Sequence, residues 1–402
     1  MNKPVLSLDV SKGKSIAAMY LSCNEPVGKP FLVEHTRQGL GTLINELVKL
    51  EQKAKCRPEI IMEATGNYSK PIAQSLFEEG YSVITVNPLE THEQKRRSIR
   101  KIKTDKIDSH RIAQLYYMKQ HDPMHIANPA IAEIKNLCRQ YERLNVLYVD
   151  TQLRFRSIVD LLFPQYYSVF SELCNESSLR LIAAFPTPEA VLSAKKSEIL
   201  KHIQAKYHRK EWPESIYQKL KAAAKTSLSY KVAQHSNIRV LREYTNILMT
   251  QRKVLDDIRA QIVAAAKNIP VYYLLRTIPG VGEMTAAVII AEIGDVKFFI
   301  NAKKLIAFAG LDPSVFESGT YKASKNRISK RGSNYLRKAL FQATMSGICI
   351  RNKKPVNPVL YELYSRKVAE GKKKMVAIIA ASSKLLRIVY GIWRNNEPFS
   401  LN

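Results

Sequence analysis

Within KIKTDKIDSHRIAQLY, from Lys101 to Tyr116, two aspartates stand three residues apart, Asp105 and Asp108. Lys95, Arg96, Arg97, Arg100, Lys101 and Lys103 lie just upstream or beside them. On a helix, positions i and i+3 share a face with Cβ atoms roughly 5–6 Å apart. Two carboxylates so placed repel each other unless a cation sits between them. Two further acids arrive at the ends of apolar runs: Asp9 in VLSLDVSKGKS and Glu63 in IIMEATGNY. A carboxylate is expensive to bury there without a partner. Four such side chains can hold one or two Mg²⁺ ions, which prefer oxygen ligands. Two ions about 4 Å apart clamp the attacking and leaving oxygens of a phosphodiester. The neighbouring cations then have a task, gripping the strand whose phosphate the metals must reach. Charged helix faces are common, so Asp105 and Asp108 alone also fit a solvated face with internal ion pairs. The four acids taken in order favour a metal-dependent polynucleotidyl centre.

Elements must deliver these acids. VLSLD reads as a buried strand, SIAAMYL as a second after a Gly-containing turn, and PFLVEH as a third. GLGTLINELVKLEQ has apolar residues at helical spacing, and EIIMEAT and YSVITVNP are strand-like. Three early strands followed by strands separated by helices make an α/β domain with a mixed sheet over residues 1–125. Asp on the first strand, Glu on a middle strand and two Asp one turn apart on a late helix resemble a RuvC-like nuclease domain of the RNase H fold.

Residues 126–268 read as long helices. Leu137, Tyr141, Leu144, Tyr148, Phe155, Ile158 and Leu162 follow a heptad seam with Thr151 as a defect. A second seam runs through Leu241, Tyr244, Leu248, Leu255, Ile258 and Ile262, with Gln251 as a defect. Two such helices can pair antiparallel in a coiled coil or join two chains. A helical insertion is expected near 175–235, with Pro186 and Pro188 in a break between helices. Residues 269–402 form a third, mainly α unit. In LLRTIPGVGEMTAAVIIAEIG, Gly280 and Gly282 lie between two apolar helical stretches, the form of a helix-hairpin-helix. Glycine turns there can offer backbone N–H groups to a phosphate.

The 402 residues carry 63 Lys+Arg against 35 Asp+Glu, a net charge of +28. That excess, spread over the whole chain, points to nucleic acid. The five cysteines are scattered without a C-x-x-C pair, so neither a zinc ribbon nor a disulfide framework is expected. The N-terminus lacks the apolar core of a signal peptide. The run from Met375 to Trp393 is interrupted by Ser382, Ser383, Lys384 and Arg387 and reads as a buried helix rather than a membrane span. The expected setting is cytoplasmic, nucleoid-associated when bound to DNA, with no membrane.

LSLDVSKGK, IIMEATGNY, VNPLE and KTDKIDSHRIA, in order, resemble the N-terminal blocks of DEDD-type insertion-sequence transposases. These are the bridge-RNA-guided serine recombinases, which include the pilin-gene invertases. TIPGVGEMTAAVIIAEIGD, KKLIAFAGLDPSVFESG and SKRGSNYLRKAL resemble their C-terminal blocks. The resemblance covers about 1–125 and 270–395. It implies that Asp9, Glu63, Asp105 and Asp108 bind Mg²⁺, and that Ser318 in VFESGTYKAS attacks the phosphodiester to form a phosphoserine link. By residue type Ser324, Ser329 and Ser333 are rivals, and only the E-S-G match favours Ser318. The cationic run Lys322, Lys325, Arg327, Lys330, Arg331, Arg337 and Lys338 could neutralise the scissile phosphate. The family further implies double-stranded donor and target DNA, a noncoding bridge RNA, and a dimer that assembles to a tetramer. On that basis the acids and the serine must meet, within one chain or between chains. A DNA invertase shares the chemistry. A hydrolytic Holliday-junction-type endonuclease has the same fold without a protein adduct. A nucleic-acid-binding protein with a decayed site is disfavoured by the intact acids.

Overall fold

The computed structural model describes residues 3–23, 25–86, 105–118, 128–203, 211–313, 317–318, 321–322 and 327–401. For 105–107, 317–318 and 321–322 it describes the backbone alone. The chain divides into two compact units, Met1–Ile126 and Ala127–Asn402. The long helices and the C-terminal helices lie together in the second unit.

The first unit is a five-stranded mixed sheet in the order β3-β2-β1-β4-β5. The strands are β1 Val5–Ser11, β2 Lys14–Ser22, β3 Glu25–Glu34, β4 Glu59–Glu63 and β5 Ser82–Val86. β2 runs antiparallel to β1 and β3, while β4 is parallel to β1 and β5 is parallel to β4. Alternation along the strands sends side chains to two faces. On one face Leu6, Leu8, Val10, Ile60 and Met62 pack under α1 (Arg37–Ala54) and α2 (Ser69–Glu78). α1 begins on Thr36, whose hydroxyl accepts from the Gly39 N–H at 3.0 Å, and buries Leu43, Leu47 and Leu50 at helical spacing. On the other face Val5, Ala18, Tyr20, Ile61, Ile84 and Val86 pack against α3 (Asp105–Met118) through Ile112, Ala113 and Tyr116. The arrangement is consistent with an RNase H-like domain.

The second unit is mostly helical. α4 (Pro129–Leu162) and α9 (Gln234–Lys267) lie along each other. Ile134 and Cys138 near the start of α4 share a core with Ile262 and Ala266 near the end of α9. Phe155, Val159 and Leu162 share another with Leu241 and Leu248. The two helices are therefore antiparallel within one chain. Both seam defects are buried differently: Thr151 donates its hydroxyl to the Leu147 carbonyl at 2.8 Å, whereas Gln251 Oε1 finds no partner among the described residues. Between them α5 (Glu176–Ala184), α6 (Pro188–Ser193), α7 (Lys196–Lys201) and α8 (Trp212–Thr226) form the insertion. They close around Tyr166, Ile182, Val191, Ile199 and Leu220. Pro188 opens α6 behind the Thr187 cap.

The C-terminal helices are α10 (Val271–Arg276), α11 (Glu283–Ile293), α12 (Ala302–Phe308), α13 (Asn334–Ile348), α14 (Pro358–Ala369) and α15 (Lys374–Asn395). Two short hairpins accompany them, β6 (Glu317–Ser318) with β7 (Tyr321–Lys322) and β8 (Ile350–Arg351) with β9 (Lys354–Pro355). Among the described residues α15 is the one helix long and apolar enough to span a membrane. Here it packs Leu385, Leu386, Val389 and Ile392 into the core with α11 and α13. Ser382, buried within it, donates to Thr344 Oγ1 at 3.0 Å.

Candidate carboxylate centre and serine hairpin

Glu63 ends β4, and Asp9 lies on the adjacent parallel β1, two residues before that strand ends at Ser11 rather than at its end as the sequence suggested. Leu8 is paired with Met62, so the next residues, Asp9 and Glu63, stand side by side. Both are half-buried and share the face on which Val5 and Ile61 meet α3. Ser7, on the same face, is fully buried and donates to the Ala18 carbonyl at 3.3 Å.

The placement of α3 is fixed at its C-terminal end. The Tyr116 hydroxyl donates to Glu59 Oε2 at 3.0 Å, and the Tyr117 hydroxyl donates to the Lys3 carbonyl at 2.9 Å. Those contacts lie at the N-terminal ends of β1 and β4, so α3 runs back across the sheet against them. Eight helical residues from Tyr116 to Asp108 cover about 12 Å, and four strand residues from Glu59 to Glu63 about 13 Å. The first turn of α3 therefore comes toward the strand ends that carry Asp9 and Glu63. Tyr20 on β2 steadies the middle of the helix, its hydroxyl 2.8 Å from His110 Nδ1.

Asp108 is 5% exposed. Its Oδ1 accepts from Arg111 Nη1 at 3.1 Å, one turn on. Asp105 opens the helix, and its side chain lies outside the described residues. Among the described residues no three His, Cys, Asp or Glu side chains cluster closely enough to hold an ion. The donors nevertheless suit a hard divalent cation: carboxylates from two neighbouring strand ends and the facing helix turn, in a half-buried setting. Lys95, Arg96, Arg97, Arg100, Lys101 and Lys103 lie outside the described residues.

Ser318 ends β6, and Ser318 pairs with Tyr321 across the hairpin. Its side chain, that of Lys322, and all of Ser324 and Lys325 lie outside the description. The other two rival serines are committed elsewhere. Ser329 Oγ donates to Asp312 Oδ1 at 2.6 Å. Ser333 Oγ caps α13 by accepting from the Leu336 N–H at 3.1 Å and itself donates to Glu292 Oε2 at 2.8 Å. These bonds were not legible from sequence, where all the serines look alike. Arg327, Lys330 and Arg331 are exposed beside the hairpin. Arg337 instead braces the chain, Nη1 donating to the Ala309 and Gly332 carbonyls at 3.0 and 3.1 Å. Lys338 pairs with Glu142. Neither stands as a loose cation.

The two glycines of IPGVG differ. Gly280 has φ +98°, and a Cβ there would lie 2.8 Å from the Ala343 carbonyl and 2.9 Å from Gly347 Cα and N. It is a point of close packing between the turn and α13. Gly282 is exposed with open space around it and caps α11. The next residue, Glu283, is acidic and lies 3.8 Å from Lys267, so negative charge already occupies that helix start.

Comparison with known proteins brings these parts together. Residues 6–164 match a DEDD transposase domain model of IS110 elements, and residues 272–360 match the model described as Transposase IS116/IS110/IS902 family. A pilin gene-inverting protein of Moraxella bovis is 36% identical over 126 residues, 31% of this chain and 38% of that protein. The insertion element IS110 43.6 kDa protein of Streptomyces coelicolor is 30% identical over 145 residues, 36% of this chain and 33% of its own. A transposase for insertion sequence element IS1111A of Coxiella burnetii is 27% identical over 162 residues, 40% of this chain and 43% of its own. The matched stretches thus span less than half the length of these relatives. With the acid-bearing sheet inside one matched region and the serine hairpin inside the other, the chain belongs to the IS110 family of transposases.

Proposed function

We propose that the protein is the transposase of an insertion sequence, cutting and rejoining DNA strands through a covalent phosphoserine. What supports this reading is the pairing of β1 with β4, which sets Asp9 beside Glu63, and the packing of α3 across the same sheet face. Asp9, Glu63, Asp105 and Asp108 would hold Mg²⁺. Such an ion, when bound, would supply Lewis-acid polarisation of the phosphodiester and ease deprotonation of the attacking hydroxyl. Ser318 Oγ attacks phosphorus, its proton passes to solvent, and the P–O bond to one strand breaks, that strand leaving as a hydroxyl that takes up a proton in turn. Attack by a strand hydroxyl reverses the link and frees the serine. Arg327, Lys330 and Arg331 hold the phosphate backbone. Double-stranded donor and target DNA, a bridge RNA and assembly from dimer to tetramer belong to the same proposal. The +28 net charge supports a large nucleic-acid partner.

The Moraxella relatives support a second reading, inversion of a DNA segment rather than transposition. The chemistry is shared, and the DNA flanking the gene separates the two.

The test expresses the gene with its native flanks and seeks a denaturant-resistant, protease-sensitive protein–DNA adduct. Wild type should form it, and Ser318→Ala and Asp105→Ala should not. Nicked DNA without adduct, still made by Ser318→Ala, would replace the proposal with a hydrolytic endonuclease.

A further inference from the structure

Glu292 is the charged residue in the buried run Ala286–Ile293 of α11 and is 1% exposed. A carboxylate in that position needs strong partners. Arg139 of α4 forks onto it, Nε donating to Oε1 at 2.9 Å and Nη2 to Oε2 at 3.1 Å. Ser333 Oγ supplies the third bond at 2.8 Å while capping α13. Two more contacts join the same helices. The Arg139 guanidinium lies over the Tyr335 ring at 5.2 Å, and Lys338 pairs with Glu142. The first turn of α13 is thereby held to α4.

Directly before that turn comes the base of the Ser318 hairpin. Pro313 and Ile328 form an antiparallel bridge. The Ser329 N–H donates to the Asp312 carbonyl at 2.8 Å, the Lys330 N–H to Gly310 at 3.1 Å, and the Ser333 N–H to Phe308 at 3.2 Å. Packing there is tight, since a Cβ on Gly332 would fall 2.0 Å from the Phe308 carbonyl oxygen. Arg139 lies in the matched region 6–164, whereas Glu292 and Ser333 lie in the matched region 272–360. The bond network ties one to the other.

We infer that Glu292, gripped by Arg139, is a positioning residue for Ser318, fixing the base of its hairpin to α4 through the Ser333 cap. The inference rests on the reading of Ser318 as nucleophile. Buried ion pairs often contribute little net stability, and some instead secure one geometry. A nucleophile displaced by about 1 Å can lose two orders of magnitude in rate.

Two variants of the full chain test it. Glu292→Gln keeps the shape and removes the charge. Ser333→Gly keeps an acceptable cap and removes the donor. Hydrogen exchange at the Ser329, Lys330 and Ser333 amides should quicken at least tenfold in both, with α9 amides unchanged. Unchanged exchange at the three amides would overturn the clamp. At saturating DNA the rate of adduct formation should fall at least tenfold, with the half-saturating DNA concentration unchanged. Wild-type rates in both variants would overturn the positioning role. The double variant Glu292→Gln/Arg139→Met removes the unpaired cation and should regain thermal stability without regaining rate. Recovery of both would reduce the network to core stabilisation. Absence of any adduct from wild type would sink the Ser318 reading and the positioning role with it, while the exchange data still decide the clamp.

Discussion

The Tyr116 hydroxyl donates to Glu59 Oε2 at 3.0 Å, and this bond between the last turn of α3 and the first residue of β4 sets how far the helix reaches along the sheet. Asp105 and Asp108 stand at the helix's other end. Glu59 also pairs with Lys3 at 2.8 Å, so the carboxylate keeps a partner if the tyrosine is altered. Tyr116→Phe should cost about 1 kcal/mol. That corresponds to a lowering of the melting temperature by about 3–5 °C for a unit of this size. A scan of the two proteins checks this, and an unchanged midpoint would deny the bond its role.

Divalent metal should bind to and stabilise the folded chain. An ion that binds only the folded state at 100 times its Kd adds about 2.7 kcal/mol. Millimolar Mg²⁺ should therefore raise the melting temperature of wild type, and Asp9→Asn, Glu63→Gln and Asp108→Asn should each remove the rise. A rise that survives all three substitutions would place the ion elsewhere.

The glycines at 280 and 282 should separate folding from binding. Gly280→Ala forces a Cβ onto the α13 backbone at a φ of +98° and should destabilise by about 3 kcal/mol. Gly282→Ala enters open space and, losing only a favoured cap residue, should cost about 1 kcal/mol at most. If α11 contacts a phosphate, Gly282→Ala weakens DNA binding in a filter or anisotropy assay without unfolding. Equal DNA affinity would leave the turn a packing feature alone.

The rival serines should behave as structural residues. Ser329→Ala loses the bond to Asp312 and should cost about 1 kcal/mol while the protein–DNA adduct still forms. Ser318→Ala should abolish the adduct with little change in stability. Loss of the adduct in Ser329→Ala with a normal melting curve would reopen the assignment.

Acid should unfold the second unit partly through Glu292. Burial by itself pushes this carboxyl up. The Arg139 fork, the Ser333 hydrogen bond and the nearby Lys135 and Arg139 charges outweigh it and hold the group below its ordinary 4.5. A carboxyl lowered in the folded state contributes stability that is complete above its unfolded value and is lost as pH falls through the folded one. Urea midpoints should therefore drop below about pH 4.5 in wild type, and Glu292→Gln should flatten that limb. Parallel acid limbs in the two proteins would mean that other carboxylates carry the effect.

The sequence by itself determined the sheet, the long helices and the order of the four acids, because these follow from local periodicity. LSLDV alternates and IIME is a continuous apolar run, as strands of a covered sheet do; Glu63 ends β4 as expected, whereas β1 continues two residues past Asp9 to Ser11. The heptad spacing likewise marked α4 and α9, though antiparallel pairing within one chain came from which ends share a core. Helix spacing put Asp105 and Asp108 on one turn, but their direction across the sheet needed Tyr116, Glu59, Tyr117 and Lys3, residues 57 and 114 positions apart in the bonds they form. Only the tertiary structure gave Ser329 and Ser333 their partners, because a hydroxyl's duty depends on what folds against it. It also turned Gly280 into a packing residue and Arg337 and Lys338 into braces, since a close approach or an ion pair between distant helices leaves no local pattern. Glu292 shows the same limit. In AAVIIAEIGD it reads as one acid in an apolar helix, and its meaning comes from Arg139, 153 residues earlier.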